Sequence, residues 1–365
     1  MKGDGPNVNL RILLTILILA NVPLWIVAFI TVDQAHSAFQ NKIAADFRAI
    51  VKKNAVTVTY AVKHLVQEVQ SIAVSPVIQA VVTNQNSQYP PSSQAIQDRI
   101  QSVEKIWLTP QSQSLVQGIL SNSASKYLSE FVRVNHAFKR VTITDRFGAV
   151  AAANVKTVDY DQADESWWRD TFKNGIEGSV VIEDVTVDPV AKVSALHIAV
   201  PIYNTDRNLV IGTIGAILDV SDLLPLVSAV KIESTGDTLL VKDDGTIISA
   251  SQVGLQQQAK LPYFDDIRDA MSSSTKRDFI VASVPGGNRV FVAYTSTGLA
   301  PEYPELRWIA VVAQDVSEAE AAIDTMVRNL LWAVMVVLVV IIVLALYLST
   351  HRRIQFTDIQ EVEVA

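Results

Sequence analysis

Two apolar runs bracket the chain, residues 12–32 and 330–348, and each is long enough to cross roughly 30 Å of hydrocarbon. Between them the pattern is amphipathic. Over residues 33–75, apolar side chains recur at Phe39, Ile43, Phe47, Ile50, Val58, Leu65, Val69 and Ile72, the 3-and-4 spacing of one long helix. Pro76 ends or kinks that helix. A polar, turn-rich loop follows at residues 84–93 (NQNSQYPPSS). A second helix then covers 94–108, with Ile96, Ile100, Val103 and Trp107 on one face, and a third covers 123–138.

At residue 141 the period changes from helical to two. VTITDRFGAVAAA reads as a β-hairpin whose turn runs from Asp145 to Gly148, because Asp bonds its own backbone and Gly tolerates positive φ. Strands return in GSVVIEDVTVD, VSALHIAVPI and LVIGTIGAILDVSDL, and then the pattern starts again. TLLVKDDGTIISA, from Thr238, repeats the hairpin in form. RVFVAYTST and LRWIAVVAQDVSEA answer HIAVPI and IGTIGAILDVSDL, and each unit closes on Asp-Val-Ser (Asp219 to Ser221, Asp315 to Ser317).

One insert has no counterpart in the second unit. DYDQADESWWRDTF sets Tyr160, Trp167 and Trp168 among Asp159, Asp161, Asp164, Glu165 and Asp170. Aromatic faces hold a cationic amine with about 0.5–2 kcal/mol, and a carboxylate offsets its lost hydration. Tyr160, Trp167, Trp168 and Glu165 supply those groups, and Asp219, at a strand end, closes the site from the facing element. The competing reading is that Trp167 and Trp168 pack a helix onto the sheet while the acids are solvated. Asp184, in GSVVIEDVTVD, is a further candidate acid.

Composition narrows the function classes. The chain is 49% hydrophobic and 18% charged, which excludes disorder and agrees with membrane segments. A net charge of -7 gives a nucleic-acid partner no electrostatic support. There is no cysteine, which removes disulfides, thiolate catalysis and cysteine metal sites. GxxxxGK[ST], HExxH, GxSxG and paired His at metal spacing are all missing, so no catalytic residue, metal site or cofactor is assigned. His197 reads as a satisfied structural residue in a strand. PGGN at Pro285 is a turn.

Lys2 and Arg11 precede the first span, and His351, Arg352 and Arg353 follow the second, so both tails are expected in the cytoplasm. The first run exceeds the apolar core of a cleavable signal peptide, about 7–15 residues. About fifteen residues follow the second span, too few for a folded domain.

In their order between two spans, TDRFGAVAAA, DYDQADESWW, HIAVPI and IGTIGAILDVSDL resemble the ligand-binding half of a double Cache domain, the extracytoplasmic sensor of bacterial chemoreceptors and sensor kinases. The resemblance covers roughly residues 31–321. It implies an α+β fold in which a long N-terminal helix carries two PAS-like antiparallel-sheet modules, flanked by two transmembrane helices. The division is then a cytoplasmic N-terminus (1–11), a first span (12–32), an extracytoplasmic domain (33–325), a second span (327–348) and a short cytoplasmic tail (349–365). Within the domain, 33–140 is helical scaffold, 141–222 the membrane-distal ligand-binding module and 223–325 the membrane-proximal one.

Family members that bind amino acids carry a Tyr, then at fixed spacing an Arg, a Trp-Tyr pair and a distant Asp. Tyr160, Trp167 and Asp219 match; Glu165 stands where the carboxylate-clamping Arg belongs, and Trp168 replaces the second Tyr. An acid there repels an α-carboxylate, so the resemblance implies an amine ligand, unless Arg169 or Arg146 acts as the clamp for an amino-acid-like one. The expected function is a double-pass plasma-membrane sensor, homodimeric through the helix from residue 33 and acting on a cytoplasmic signalling partner. The alternative is an envelope interaction or scaffold protein with a vestigial pocket.

Overall fold

The computed structural model describes residues 10–188, 194–220, 235–250, 259–274 and 277–362. The expected module boundary at 222/223, Ser221 and the chain ends 1–9 and 363–365 lie outside them. The first apolar run and the amphipathic helix form one continuous element, α1 (Leu10–Ala73), of 64 residues. Its inner face serves two cores in succession. Phe47, Val51 and Ala55 bury against the second sheet, and Val58, Val62, Val66, Val69 and Ile72 in a core that the first sheet shares with Leu240, Leu299, Leu306 and Trp308 of the second module. Each such Val or Ile contributes about 1.5–3 kcal/mol relative to exposure.

Pro76 does more than stop α1. It occupies the first position of α2 (Pro76–Ser87), where its missing N–H costs nothing, so part of the expected loop is helical. The helices α3 (Ser93–Trp107), α4 (Gln113–Leu120) and α5 (Ser123–Val134) follow, the last capped by the Asn122 side chain, which accepts from the Ser125 N–H at 2.9 Å. α5 stops short of the expected 138 because Phe138 already opens β1 (Phe138–Asp145).

The first sheet adds β2 (Val150–Ala153), β3 (Val181–Val187), β4 (Ser194–Tyr203) and β5 (Val210–Asp219), with α6 (Ser166–Phe172) between β2 and β3. Its order is β2-β1-β5-β4-β3, all antiparallel. Period-two patterning gives it two unlike faces. Val141, Ile143, Leu196, Ile198, Val200, Ile214, Ala216 and Leu218 join the core with α1 and α2, while the alternate positions turn toward α6. Pro201 is tolerated inside β4 because β3 pairs no further than Ala199.

The second sheet repeats the first: β6 (Asp237–Val241), β7 (Ile247–Ala250), β8 (Phe279–Ser283), β9 (Arg289–Ser296) and β10 (Ile309–Asp315) in the order β7-β6-β10-β9-β8, with α7 (Phe264–Ser272) before β8. The two hairpins match bond for bond. The Asp145 N–H donates to the Ala149 carbonyl at 2.9 Å, as Lys242 N–H does to Thr246, and Gly148 and Gly245 hold φ of 88° and 83°. The expected α+β architecture with two antiparallel modules on one long helix is therefore the one observed.

From β10 the chain passes without a loop into α8 (Val316–Val362). Two stretches, Ile18–Ala73 and Val316–Tyr347, are long and apolar enough to cross a membrane, with mean hydropathies of 1.6 and 3.1 over their most apolar parts.

Candidate functional site

The α6 side of the first sheet encloses a cavity of about 290 Å³, at the small end of the roughly 300–1,000 Å³ usual for small-molecule sites. Its floor is strand: Arg140 and Thr142 from β1, Gly215 and Ile217 from β5, His197 from β4 and Glu183 from β3. Its wall is Thr157, Val158, Asp159, Gln162, Glu165 and Trp167. Gly215 makes this packing possible, since a Cβ there would lie 2.9 Å from His197 Nε2 and 3.0 Å from the Trp167 ring. The Trp167 and His197 rings meet edge to face at 5.2 Å.

Among the described lining residues, three carboxylates face one guanidinium. Glu183 accepts from His197 Nδ1 and from Ser166 Oγ, each at 2.8 Å, and the imidazole bond holds its carboxyl below the usual range. Glu165 and Asp159 are pushed the other way, first by burial and then by the neighbouring acids. Arg140 lies 3.3 Å from Asp188 Oδ2, so its charge is already partly answered. The arrangement favours a positive occupant: a cation lowers the cost of ionising Glu165 and Asp159, and Trp167 offers it a ring.

The structure brings Glu165 and Trp167 into the cavity and leaves the other expected site residues outside its lining. Tyr160 is buried behind the wall, 5.6 Å from the Trp107 ring, in a cluster with α3 and α4, and burial pushes its hydroxyl up to about 12. Trp168 stacks on Phe172 at 4.8 Å and donates to Thr144 Oγ1 at 3.0 Å. Adjacent helical residues point about 100° apart, so one of a Trp-Trp pair faces the cavity and the other cannot. Asp219 lies beyond Ile217 on the same face, 3.5 Å from Lys139 Nζ. Arg146 covers the Phe147 ring at 4.9 Å, and Arg169 donates to the Asp164 carbonyl; neither reaches the cavity as a clamp.

Asp184 has a different role. Trp308 Nε1 donates to its Oδ1 at 2.7 Å, and Lys242 Nζ lies 3.0 Å from its Oδ2, so this carboxylate joins the two modules. Sequence reasoning missed Arg140, Glu183 and the lining position of His197. Strand alternation carried the signal: opposite Val141 and Ile143, the polar Arg140 and Thr142 mark the face that turns away from α1.

A larger hollow of 630 Å³ lies between the end of α1 and β4, lined by Gln67, Gln70, Ser71, Gln79, Tyr203 and Arg207 among others. Arg207 is its one charged residue among the described lining, so it lacks convergent charge.

Tandem five-stranded sheets in one order, hung on a shared helix, define a two-module α+β protein. The chain belongs to the Cache domain family, whose model matches residues 35–323. Solved structures with a similar fold include the ligand-binding domain of the Pseudomonas aeruginosa PAO1 amino acid chemoreceptor PctB in complex with L-Arg: 14% identity, 77% of this chain and 98% of that one, TM-score 0.47. The ligand-binding domain of Pseudomonas fluorescens chemoreceptor CtaA with L-leucine shares 13% identity over 79% of this chain and 99% of that one, TM-score 0.46. That of Campylobacter jejuni chemoreceptor Tlp3 with 4-methylisoleucine shares 16% over 70% and 93%, TM-score 0.40. A comparison with curated proteins found no match.

Proposed function

We propose that this Cache protein is a double-pass membrane sensor whose distal module binds a small organic amine. The observation that carries the ligand class is the lining of the cavity: Asp159, Glu165 and Glu183 converge beside the Trp167 ring, while Arg140 is engaged with Asp188. Family membership supports ligand sensing, and the two membrane-length helices with basic outer flanks support a topology with residues 33–325 outside the cytoplasm and both tails inside. The exposed side of α1, including Val56 and Tyr60, supports a homodimer paired along that helix, and a cytoplasmic partner then receives the signal. Binding without catalysis is the reading for the cavity. A second reading, an amino-acid-like ligand, is favoured by Arg140, which stands where a carboxylate could reach it if Asp188 let go.

Full-length protein in nanodiscs, titrated with ethylamine, choline, putrescine, glycine and L-leucine, tests the ligand class by thermal shift. An amine at a hundred times its Kd adds about 2.7 kcal/mol. Glu165→Gln should weaken that shift. Stabilisation by glycine or leucine and by none of the amines overturns the reading in favour of Arg140 as a clamp.

A further inference from the structure

Glu183 and Asp184 are consecutive residues of β3 that serve opposite sides of the protein. Glu183 lines the cavity and holds His197 and Ser166. Asp184 holds Trp308 and Lys242 of the other module. Lys242 Nζ also donates to the Val185 carbonyl at 2.6 Å, and the Val185 N–H returns to Asp184 Oδ1 at 2.7 Å, so residues 184 and 185 form one closed joint with the second hairpin. Between Glu183 and Thr186 the pairing of β3 with β4 slips register. Such a bulge frees its residues from the ladder and lets them re-aim at low cost.

What the joint touches matters. Trp308 is 1% exposed and immediately precedes β10, which runs straight into α8. Lys242 immediately follows β6, the neighbour of β10 in the sheet. By contrast, α1 is fastened to the second module by Arg48–Asp278, Thr59–Thr297 and Lys63–Glu302, and none of these residues lines the cavity.

We propose that the β3 bulge at residues 183–185 couples the distal cavity to the second membrane-length helix. A cationic occupant draws Glu183 off His197, the bulge turns, and Asp184 shifts against Trp308 and Lys242. The displacement then enters β10 and α8. Breaking the joint is a discrete step and not a gradual one, because a buried indole N–H left without its acceptor is costly. The occupant in this scheme rests on the amine reading of the cavity, whereas the joint itself does not.

Amide hydrogen exchange on full-length protein in nanodiscs, with no ligand added, tests the coupling. Glu183→Leu, which leaves His197 and Ser166 without an acceptor, should speed exchange across residues 306–312 and 239–243 by at least about threefold. His197→Phe removes the same bond from the other side while keeping a ring against Trp167, should reproduce the effect, and stands in if Glu183→Leu does not fold. Glu165→Gln, on the same cavity but off β3, should leave those amides unchanged. Changes confined to residues 178–202, or an equal effect of Glu165→Gln, overturn the coupling. Because no ligand enters, that failure leaves the amine reading intact, and failure of amine binding leaves this result intact.

Discussion

The two modules share strand order and register, and that makes their differences readable position by position. Aligning Asp145 with Lys242 through the strand pairings sets Thr142 against Leu239, Gly215 against Val311, His197 against Val292 and Glu183 against Ile280. These four polar or empty floor positions are aliphatic side chains in the second module, while Arg140 is matched by another charged residue, Asp237. There Leu239, Val292 and Val311 pack with Tyr263, Phe264 and Ile267 into a filled core. One sheet therefore supports a cavity in the first module and a packed layer in the second, and a handful of floor positions decide between them.

Trp167→Ala tests the contrast most harshly. The side chain is buried, so its loss should cost about 3–5 kcal/mol. Urea unfolding of full-length protein measures it, and a cost below about 1 kcal/mol would show that the cavity wall collapses freely. Gly215→Val installs the residue of the second module in the first. Its Cβ meets His197 and Trp167 head on, so the change should cost about 1–3 kcal/mol and abolish the amine-induced thermal shift. If binding survives, the floor does not define the site.

Tyr89→Phe sharpens the comparison at the hairpin turn, where the modules differ as Asp145 against Lys242. Asp145 is fully buried and accepts from Tyr89 Oη at 2.6 Å and Gln85 Nε2 at 2.7 Å. Burial nevertheless raises its carboxyl, so its stabilising contribution is complete below the unfolded value and is lost as pH rises through the folded one. Tyr89 is one of the groups that lower it. Tyr89→Phe should cost about 1–3 kcal/mol at neutral pH and less at pH 4, as thermal unfolding at the two pH values will show. An equal cost at both pH values would mean that the carboxyl stays neutral throughout.

How much of this was legible beforehand depends on scale. The paired hairpins were visible because TDRFG and KDDG place Gly where the turn needs positive φ, and period-two runs flank both. The amphipathic helix was also expected to emerge directly from the first apolar run, since no breaker separates residues 32 and 33, and α1 joins the two in one element. α2 was hidden by a Pro that starts a helix as readily as it ends one. Acid and aromatic density flagged a segment from which Glu165 and Trp167 line the cavity. Tyr160, Trp168 and Asp219 were grouped with them by nearness in sequence or by family pattern, whereas direction is set by helix rotation and strand parity. Arg140, Glu183 and His197 come from three strands, and only pairing register brings them together.

α1 is also a lever. At 64 residues it is about 95 Å long, so a tilt of about 3° at one end displaces the other by about 5 Å, roughly the rise of one helical turn. Its one internal proline, Pro23, falls within the apolar stretch, where the missing N–H removes a rung from the backbone ladder. The helix is thus free of proline along both modules and weakest within the stretch that is apolar enough to cross a membrane, so any bend in it is expected near Pro23 and away from the contacts with the two sheets.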